Sequence, residues 1–338
     1  MTAIVECVPN FSEGRDMRVI NAIAGAIASM QDVKLLSVEP DRDYNRTVVT
    51  FIGSPDAVVD AAFQATGRAA ELIDMTLHSG EHPRIGATDV VPFVPVSGVT
   101  MEECVRLAHR FGKRVGEDLG IPVYLYEEAA TRPERKNLAT VRKGEYEGLR
   151  AKLQDPAWLP DYGPAEFNAR SGATVTGARM FLIAYNVNLD TNDVKLANEV
   201  ALRIRESGRV KKDAQGNPVL DEGGAKVMIP GTLRAVKAMG VLLEAHNIAQ
   251  VSINLVNFHV TPPHIAFEEV KREAASLGVK ATGSELVGLI PKEALLMAAA
   301  YYGAEGDERT LLHAAVSHLG LAQLAPFDLE KKIIEFQL

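Results

Sequence analysis

Two cysteines, Cys7 and Cys104, are all that the 338 residues contain. Both fall in apolar segments and no CxxC pair occurs, so a disulfide framework is not expected and two reduced core thiols are. No uninterrupted apolar run approaches the length that spans a bilayer, and Met1 to Cys7 has neither a basic start nor a long apolar stretch. A membrane anchor and an export signal are therefore not expected, and a cytoplasmic protein is. Positive charge is in deficit, with a formal net charge of −8. That disfavours nucleic acid or an anionic membrane as the main partner, although it leaves room for a local basic pocket. There is no P-loop, no GxGxxG after a strand and no HExxH, so the usual phosphate, dinucleotide and zinc-protease signatures are missing.

What is present is an ordinary globular balance, 47% hydrophobic and 24% charged residues, in a chain long enough for two domains. Ile4 to Val8 reads as a buried strand, Asp16 to Met30 as a helix with Val19, Ile20, Ile23 and Ile27 on one face, and Val33–Val38 and Arg46–Ile52 as strands. Ser54 with Pro55 opens a helix to about Ile73, and Thr88–Val94 is the next strand. Thr100 and Glu103 form a capping box for a helix to Leu119, Ile121–Tyr126 is a short strand and Arg135–Leu153 is mostly helical. The stretch 155–172, rich in Pro, Gly, Asp and Asn, reads as a linker. The order then repeats, with strands at Ala178–Val187, Thr232–Leu243, Ala249–Asn257 and Ser284–Ile290, helices at Asn192–Glu206 and Pro263–Leu277, and closing helices from Lys292 and Thr310. Two βαββαβ halves predict an α+β protein of two ferredoxin-like units with extra helices, divided at 1–178 and 179–338.

The most informative segment is His78-Ser-Gly-Glu-His82-Pro-Arg84-Ile-Gly-Ala-Thr-Asp89, a polar loop running into the apolar strand Val90–Val94. Two His four apart would suit zinc on a helix, but Ser79-Gly80 and Pro83 disfavour one, so a loop presenting a single working His is expected. Residues alone leave His78 and His82 both open. His259-Val-Thr-Pro-Pro-His264 has a ligand-like spacing without nearby Cys or paired acids and reads as a loop entering a helix. His109, His246, His313 and His318 fall in helical patterns. Three further polar clusters stand at Val8–Arg15, Glu39–Arg46 and Gly163–Gly172. In a ferredoxin-like unit the loops carrying Asn10, Glu39 and His82 can share one sheet edge.

The runs Glu6-Cys-Val-Pro-Asn-Phe-Ser-Glu-Gly-Arg15, Asp41-Arg-Asp-Tyr-Asn-Arg-Thr47, Asp74 through Pro92 and Gly172 through Asn188 resemble glutamate formimidoyltransferase, over essentially residues 3 to 325. The resemblance is to the stand-alone form, without the cyclodeaminase to which the transferase is fused in some organisms. It implies transfer of the formimino group of N-formimino-L-glutamate to N5 of tetrahydrofolate, giving L-glutamate, as in histidine degradation. It also implies a folate groove between the two subdomains, a homodimer and His82 as the catalytic base. The folate site is implied at Gly163, Pro164, Ala165, Glu166, Phe167, Asn168, Ala169, Arg170, Ser171 and Gly172.

The chemistry suits these residue types. One group titrating near neutrality can take the proton of N5 and return one to the departing glutamate nitrogen, which is what imidazole does. A carboxylate from Glu39 or Asp41 would hold the amidinium, and Glu39 is the expected one. Arg suits substrate carboxylates; Arg42, Arg46, Arg84, Arg170 and Arg179 lie in or beside the motifs, and Asn10, Arg42, Arg46 and Arg84 are expected at the donor. Phe167 and Tyr162 are expected to stack on the folate rings, Arg170 to meet its glutamate tail, and Gly163 and Gly172 to let backbone approach the ligand. No essential metal, nucleic acid or membrane is expected. The rival readings are formyl transfer from N-formylglutamate, a zinc hydrolase built on His78, His82 and Asp89, and a non-catalytic or RNA-binding ferredoxin-like module. A donor assay, metal analysis and heparin retention would separate them.

Overall fold

The computed structural model describes residues 3–42, 44–80, 83–243 and 246–337. The chain forms two compact units, residues 1–180 and 181–338.

In the first unit β1 (Ile4–Cys7) and β2 (Asn10–Phe11) are one strand interrupted at Val8-Pro9. Then follow α1 (Met17–Ala28), β3 (Val33–Asp41), β4 (Arg46–Gly53), α2 (Pro55–Leu72), β5 (Thr88–Ser97), α3 (Met101–Asp118) and β6 (Val123–Glu127). The β1/β2 strand lies between β4 and β5, antiparallel to both, and β3 is an edge strand on β4. Beyond β5 comes β7 (Thr174–Ala178), parallel to β5 on one side and to β6 on the other.

Alternation along these strands sends Val5, Cys7, Phe11, Val49, Phe51, Val91 and Phe93 into one core with the apolar stripes of α1, α2 and α3. The stripe of α1 is the expected one, with Ile20, Ile23 and Ile27 buried. The expected capping box on α3 is present in both directions: Glu103 N donates to Thr100 Oγ1 at 3.2 Å, and Thr100 N donates to Glu103 Oε2 at 2.7 Å. Ser54 is the N-cap residue of α2, but its side chain makes no cap bond; Pro55 at the first helical position already lacks an N–H to satisfy. A second, smaller core on the other side of β6 and β7 gathers Tyr124, Tyr126, Val141, Leu149 and Val175. It is built by α4 (Leu138–Arg142) and α5 (Glu145–Lys152), two short helices within the stretch Arg135–Leu153 that reads as mostly helical. Gly144, at φ +90°, divides them.

The second unit runs β8 (Ile183–Leu189), α6 (Val194–Ile204), the small pair β9 (Arg209–Val210) and β10 (Met228–Ile229), β11 (Val236–Leu243), β12 (Ile248–Leu255), α7 (Pro263–Ser276) and β13 (Ala281–Val287). Its sheet has the order β11-β12-β8-β13, all neighbours antiparallel. Helices α8 (Lys292–Tyr301) and α9 (Glu308–Leu319) follow. A chain of amides crosses one sheet face: Asn188 Nδ2 donates to Gln323 at 2.8 Å, and Gln250 Nε2 donates to Asn188 at 2.7 Å and to Glu285 at 3.2 Å.

Two sequence expectations are corrected. The stretch 155–172 is not the junction between halves. It lies wholly within the first unit, and the chain after it supplies β7 to the first sheet. The strand expected at Ala178–Val187 begins only at Ile183, as β8 of the second unit, and the unforeseen β7, Thr174–Ala178, belongs to the first unit, with Arg179 to Leu182 between them. Proline and glycine in 155–172 reflect irregular backbone bound to the unit, with Tyr162 bridging Val123 and Gly172 bridging Gly86.

Candidate functional site

Three loops of the first unit are held together by Asn45. This residue ends the β3–β4 hairpin with φ +48°, a left-handed conformation that Asn tolerates better than most side chains. Its Oδ1 accepts from Gly14 N at 2.9 Å, in the loop after β2. Its Nδ2 donates to Ser79 O at 2.9 Å, in the segment before β5. Its carbonyl oxygen accepts from His78 Nε2 at 2.9 Å. Thr47 Oγ1 adds a bond to Glu13 O at 2.5 Å, and Ser12 Oγ one to Gly86 O at 2.7 Å. The loop carrying Asn10, the hairpin after Glu39 and the start of the His segment are thus one polar cluster. Asn45→Gly keeps the left-handed backbone and removes two side-chain bonds, one buried and one part-buried. We expect it to cost about 2 kcal/mol of stability and to raise the proteolysis rate of the Glu39–Arg46 hairpin, measured by denaturation and limited digestion.

His78 and Arg84 are engaged internally. Arg84 Nε donates to His78 Nδ1 at 3.2 Å, so that nitrogen carries no proton and Nε2 is the donor to Asn45. Burial, with the Arg84 charge beside it, lowers the His78 pKa and keeps the ring neutral. Both ring nitrogens are spent. The Arg84 fork meets Glu147 twice, at 2.8 and 2.6 Å, and Glu145 at 3.2 Å. Arg84 was expected at a substrate carboxylate; its partners here are carboxylates of the chain itself. His82, the expected base, lies outside the described residues.

The sheet face opposite α1–α3 mixes buried apolar residues, among them Val90, Tyr124 and Val175, with a set of polar groups. Glu39, Val48, Asn10 and Val90 form one cross-strand row on it. Glu39 is exposed on the edge strand, and Asn10 Nδ2 donates to Val8 O at 3.2 Å. Arg42 is exposed, its carbonyl accepting from Arg15 Nε at 3.0 Å. Arg46 is half-buried, its guanidinium 5.6 Å from the Tyr44 ring and its buried Nε without a partner. Burial lowers the Arg46 pKa, with Asp41, Arg142 and Asp89 as its charged neighbours.

Asp89 is buried and bonded through both oxygens: Oδ1 accepts from Ile85 N at 3.0 Å and Oδ2 from Arg142 Nη2. Burial raises its pKa while Arg142 opposes the rise. Farther along the same face stands Glu6, 4% exposed, in register with Val94 and Ile52. Burial pushes its carboxyl up to about 7, against the pull of Arg179. Sequence reasoning missed Glu6 and Arg142. A lone acid inside Ile4–Val8 was a usable signal; an Arg in a polar helix was not.

The segment 163–172 packs on the first unit. Gly163 and Gly172, at φ +78° and +67°, were expected to admit a ligand. A Cβ there would stand 2.5 Å from Ile121 O and 2.2 Å from Ile85 O, so the close approach they permit is to the chain's own backbone. Phe167 lies 5.5 Å from the Tyr146 ring with Arg150 over it at 4.5 Å, and Arg170 Nη2 donates to Glu71 O at 2.7 Å. Tyr162 Oη meets His109 Nδ1 at 2.8 Å. Asn168 caps the turn through Ser171 N at 2.9 Å, and Ser171 is buried. Pro164, Ala165, Glu166 and Ala169 are exposed or half-exposed along this stretch. Because Met75 N donates to Arg170 O and Ala87 N to Ser171 O, both at 2.9 Å, the segment borders both ends of the His loop.

Among the described residues no group of three or more His, Cys, Asp or Glu could hold a metal ion, and no helix is long and apolar enough to cross a membrane. His259 lies 3.8 Å from Glu293, while His264 is buried and stacks on Tyr301 at 4.7 Å. His246 stands in the β11–β12 connection rather than in a long helix.

Comparison with known proteins places this geometry. The formiminotransferase domain, N-terminal subdomain, matches residues 4–179, and the formiminotransferase domain matches residues 184–338. A glutamate formimidoyltransferase of Streptococcus pyogenes serotype M1 is 43% identical across 100% of this chain and 99% of its own length. One from Thermoplasma acidophilum is 48% identical over 89% of this chain and 92% of its own. The formimidoyltransferase-cyclodeaminase of Dictyostelium discoideum is 48% identical over all of this chain, which spans 61% of that longer protein. With both subdomain matches in order and identity sustained end to end, this chain belongs to the formiminotransferase domain family.

Proposed function

We propose that this chain transfers the formimino group of N-formimino-L-glutamate to N5 of tetrahydrofolate and releases L-glutamate. The observation that carries the reading is the match, end to end on both sides, to the Streptococcus glutamate formimidoyltransferase. In the reaction a bond forms from N5 to the amidine carbon, and N5 gives up its proton. The bond from that carbon to the glutamate nitrogen breaks once this nitrogen has gained a proton. His82 is the group that takes the first proton and supplies the second. That His78 has no free lone pair supports His82 as the working imidazole.

Glu39 holds the amidinium from the exposed edge of the sheet face opposite α1–α3, where a pairing of moderate strength leaves the cation electrophilic. Asn10 and Arg46 share that face and serve the donor, whereas Arg42 is solvent-exposed and Arg84 supports the His segment through His78. Segment 163–172 binds tetrahydrofolate; its position against Met75 and Ala87 supports this. Both units read as ferredoxin-like, supported by the βαββαβ path and by the strand order second-third-first-fourth in each. The reading includes a homodimer in the cytoplasm and no metal.

The test incubates the purified chain with tetrahydrofolate and either N-formimino-L-glutamate or N-formyl-L-glutamate and follows glutamate release. Folate-dependent release from the formimino donor, undiminished after dialysis against a chelator, is expected, because a protonated amidine needs no Lewis acid. Preference for the formyl donor would replace the reading by formyl transfer. No folate-dependent release from either would remove it.

A further inference from the structure

We propose that Arg142 is a donor-binding residue, and that with Arg46 it forms a two-guanidinium seat for one carboxylate of the dicarboxylic donor. The proposal rests on the formimino-transfer reading and names the chemistry of one part of that site.

Arg142 closes α4, whose preceding residue, Val141, is fixed in the smaller core. Its Nη2 reaches Asp89, which is also tied to Ile85 N in the His segment. Arg46 comes from β4 and feels the charges of both Arg142 and Asp89. The group therefore contains two guanidiniums and one fully buried carboxylate; Asp41 is the other acid in reach of Arg46, on the hairpin.

The buried Nε of Arg46 and the buried Nε of Arg142 both lack a hydrogen-bond partner. Buried cationic N–H groups without an acceptor are costly, and proteins keep them where something anionic completes the set. Asp89 bonds neither Nε; its oxygens take Ile85 N and Arg142 Nη2. A planar carboxylate matches the fork of a guanidinium, and one set between two of them gains charge-assisted bonds to each.

The roles differ. Asp89 orients Arg142 and spaces the two cations, while Arg46 and Arg142 touch the ligand. Location also selects the ligand: Asp89 is the second residue of β5, at the end of the His segment, so the seat lies next to the loop cluster joined by Asn45. Such a seat discriminates a dicarboxylate from the monocarboxylate that lacks one of its carboxyl groups, because the missing carboxylate would leave both Nε groups unpaired.

The experiment uses the full chain with Arg142→Lys, which keeps the charge and a donor toward Asp89 but removes Nε and the fork. The KM for N-formimino-L-glutamate should rise about 10- to 100-fold, with the loss falling on KM rather than kcat and the tetrahydrofolate KM within about twofold of wild type. Glutarate and butyrate serve as competitive probes. Wild type should prefer glutarate by at least about tenfold, and Arg142→Lys should lose most of that preference; a residue serving only stability would weaken both probes alike.

The double variant Asp89→Asn, Arg142→Gln removes both charges together, so no buried charge is left alone if the single variant folds poorly. It should show the same loss of preference. An unchanged glutarate-to-butyrate ratio in either folded variant, or a rise confined to the tetrahydrofolate KM, overturns the proposal while leaving formimino transfer by wild type intact. Absence of transfer by wild type would instead remove the reading beneath it.

Discussion

His82→Ala is expected to lower kcat about 10²–10⁴-fold while leaving folding and folate affinity in place, because loss of a general base usually costs that much. In the sequence the residue stands between Glu81 and Pro83. The other imidazole of the motif cannot replace it: His78 accepts from Arg84 and donates to Asn45, and releasing either nitrogen would undo the loop cluster. His78→Gln should therefore act mainly through stability and KM. Steady-state kinetics of both variants, with folinic acid binding followed by thermal shift, checks the assignment. A His82→Ala enzyme with near-normal kcat would move the base elsewhere. A wild-type kcat whose acid limb is unchanged by any His substitution would point to a carboxylic acid instead.

The second large effect concerns Glu6 and pH. Its carboxyl is raised from 4.5 to about 7 by burial, with Arg179 partly opposing. The folded protein thus holds this proton more tightly than the unfolded chain does. The stabilisation is complete below the unfolded value near 4.5 and is lost as pH rises through about 7. Between pH 5 and pH 8 the loss amounts to about 2–3 kcal/mol at this one position.

Glu6→Gln removes the titration and keeps the shape. Its stability relative to wild type should improve by that amount on going from pH 5 to pH 8, whatever the fixed cost of the amide. Urea denaturation of both proteins at several pH values measures it. Parallel curves would show that Glu6 ionises in the folded state as easily as in the unfolded. Arg179 and Cys7 are the other titratable groups that act on this site.

Much of this molecule is legible before any coordinates. The apolar stripe of α1, the Thr100–Glu103 capping box and the β-branched run of β4 are local signals, and each lies where periodicity puts it. The convergence of the loops after β2 and β3 with the His segment was also foreseeable from strand order. What failed was non-local. Thr174–Ala178 is short and made of small residues, and next to a Pro- and Gly-rich stretch it gave no strand signal of its own; only Ala178 fell within the strand expected at Ala178–Val187, although the five residues form an inner strand of the first sheet. The same error made 155–172 a linker.

At the site, Arg84 and Arg46 look equivalent in the sequence. Only folding shows that Glu147 takes one while the Nε of the other stays unpaired. Arg142 gave no local sign, since an Arg in a polar helix is ordinarily a solvated one; its meaning comes from Asp89, far away in the chain.

The parallel strand β7 also sets the timetable on which this protein is made. β5 is complete by residue 97 and β6 by residue 127, yet β7 stands between them, and its Thr176 hydroxyl donates to Val91 O across 85 residues. A nascent chain that has left the ribosome only as far as residues 155–172 has both flanking strands and neither of their pairings with the strand that joins them. Its β5 edge and the β6 edge that later meets β7 carry unmatched backbone groups of the kind that chaperones cover. Closing that gap is a high-contact-order step, slower than forming the hairpins that precede it. Synthesis of the first unit is thus finished not at its last helix but at its last five-residue strand.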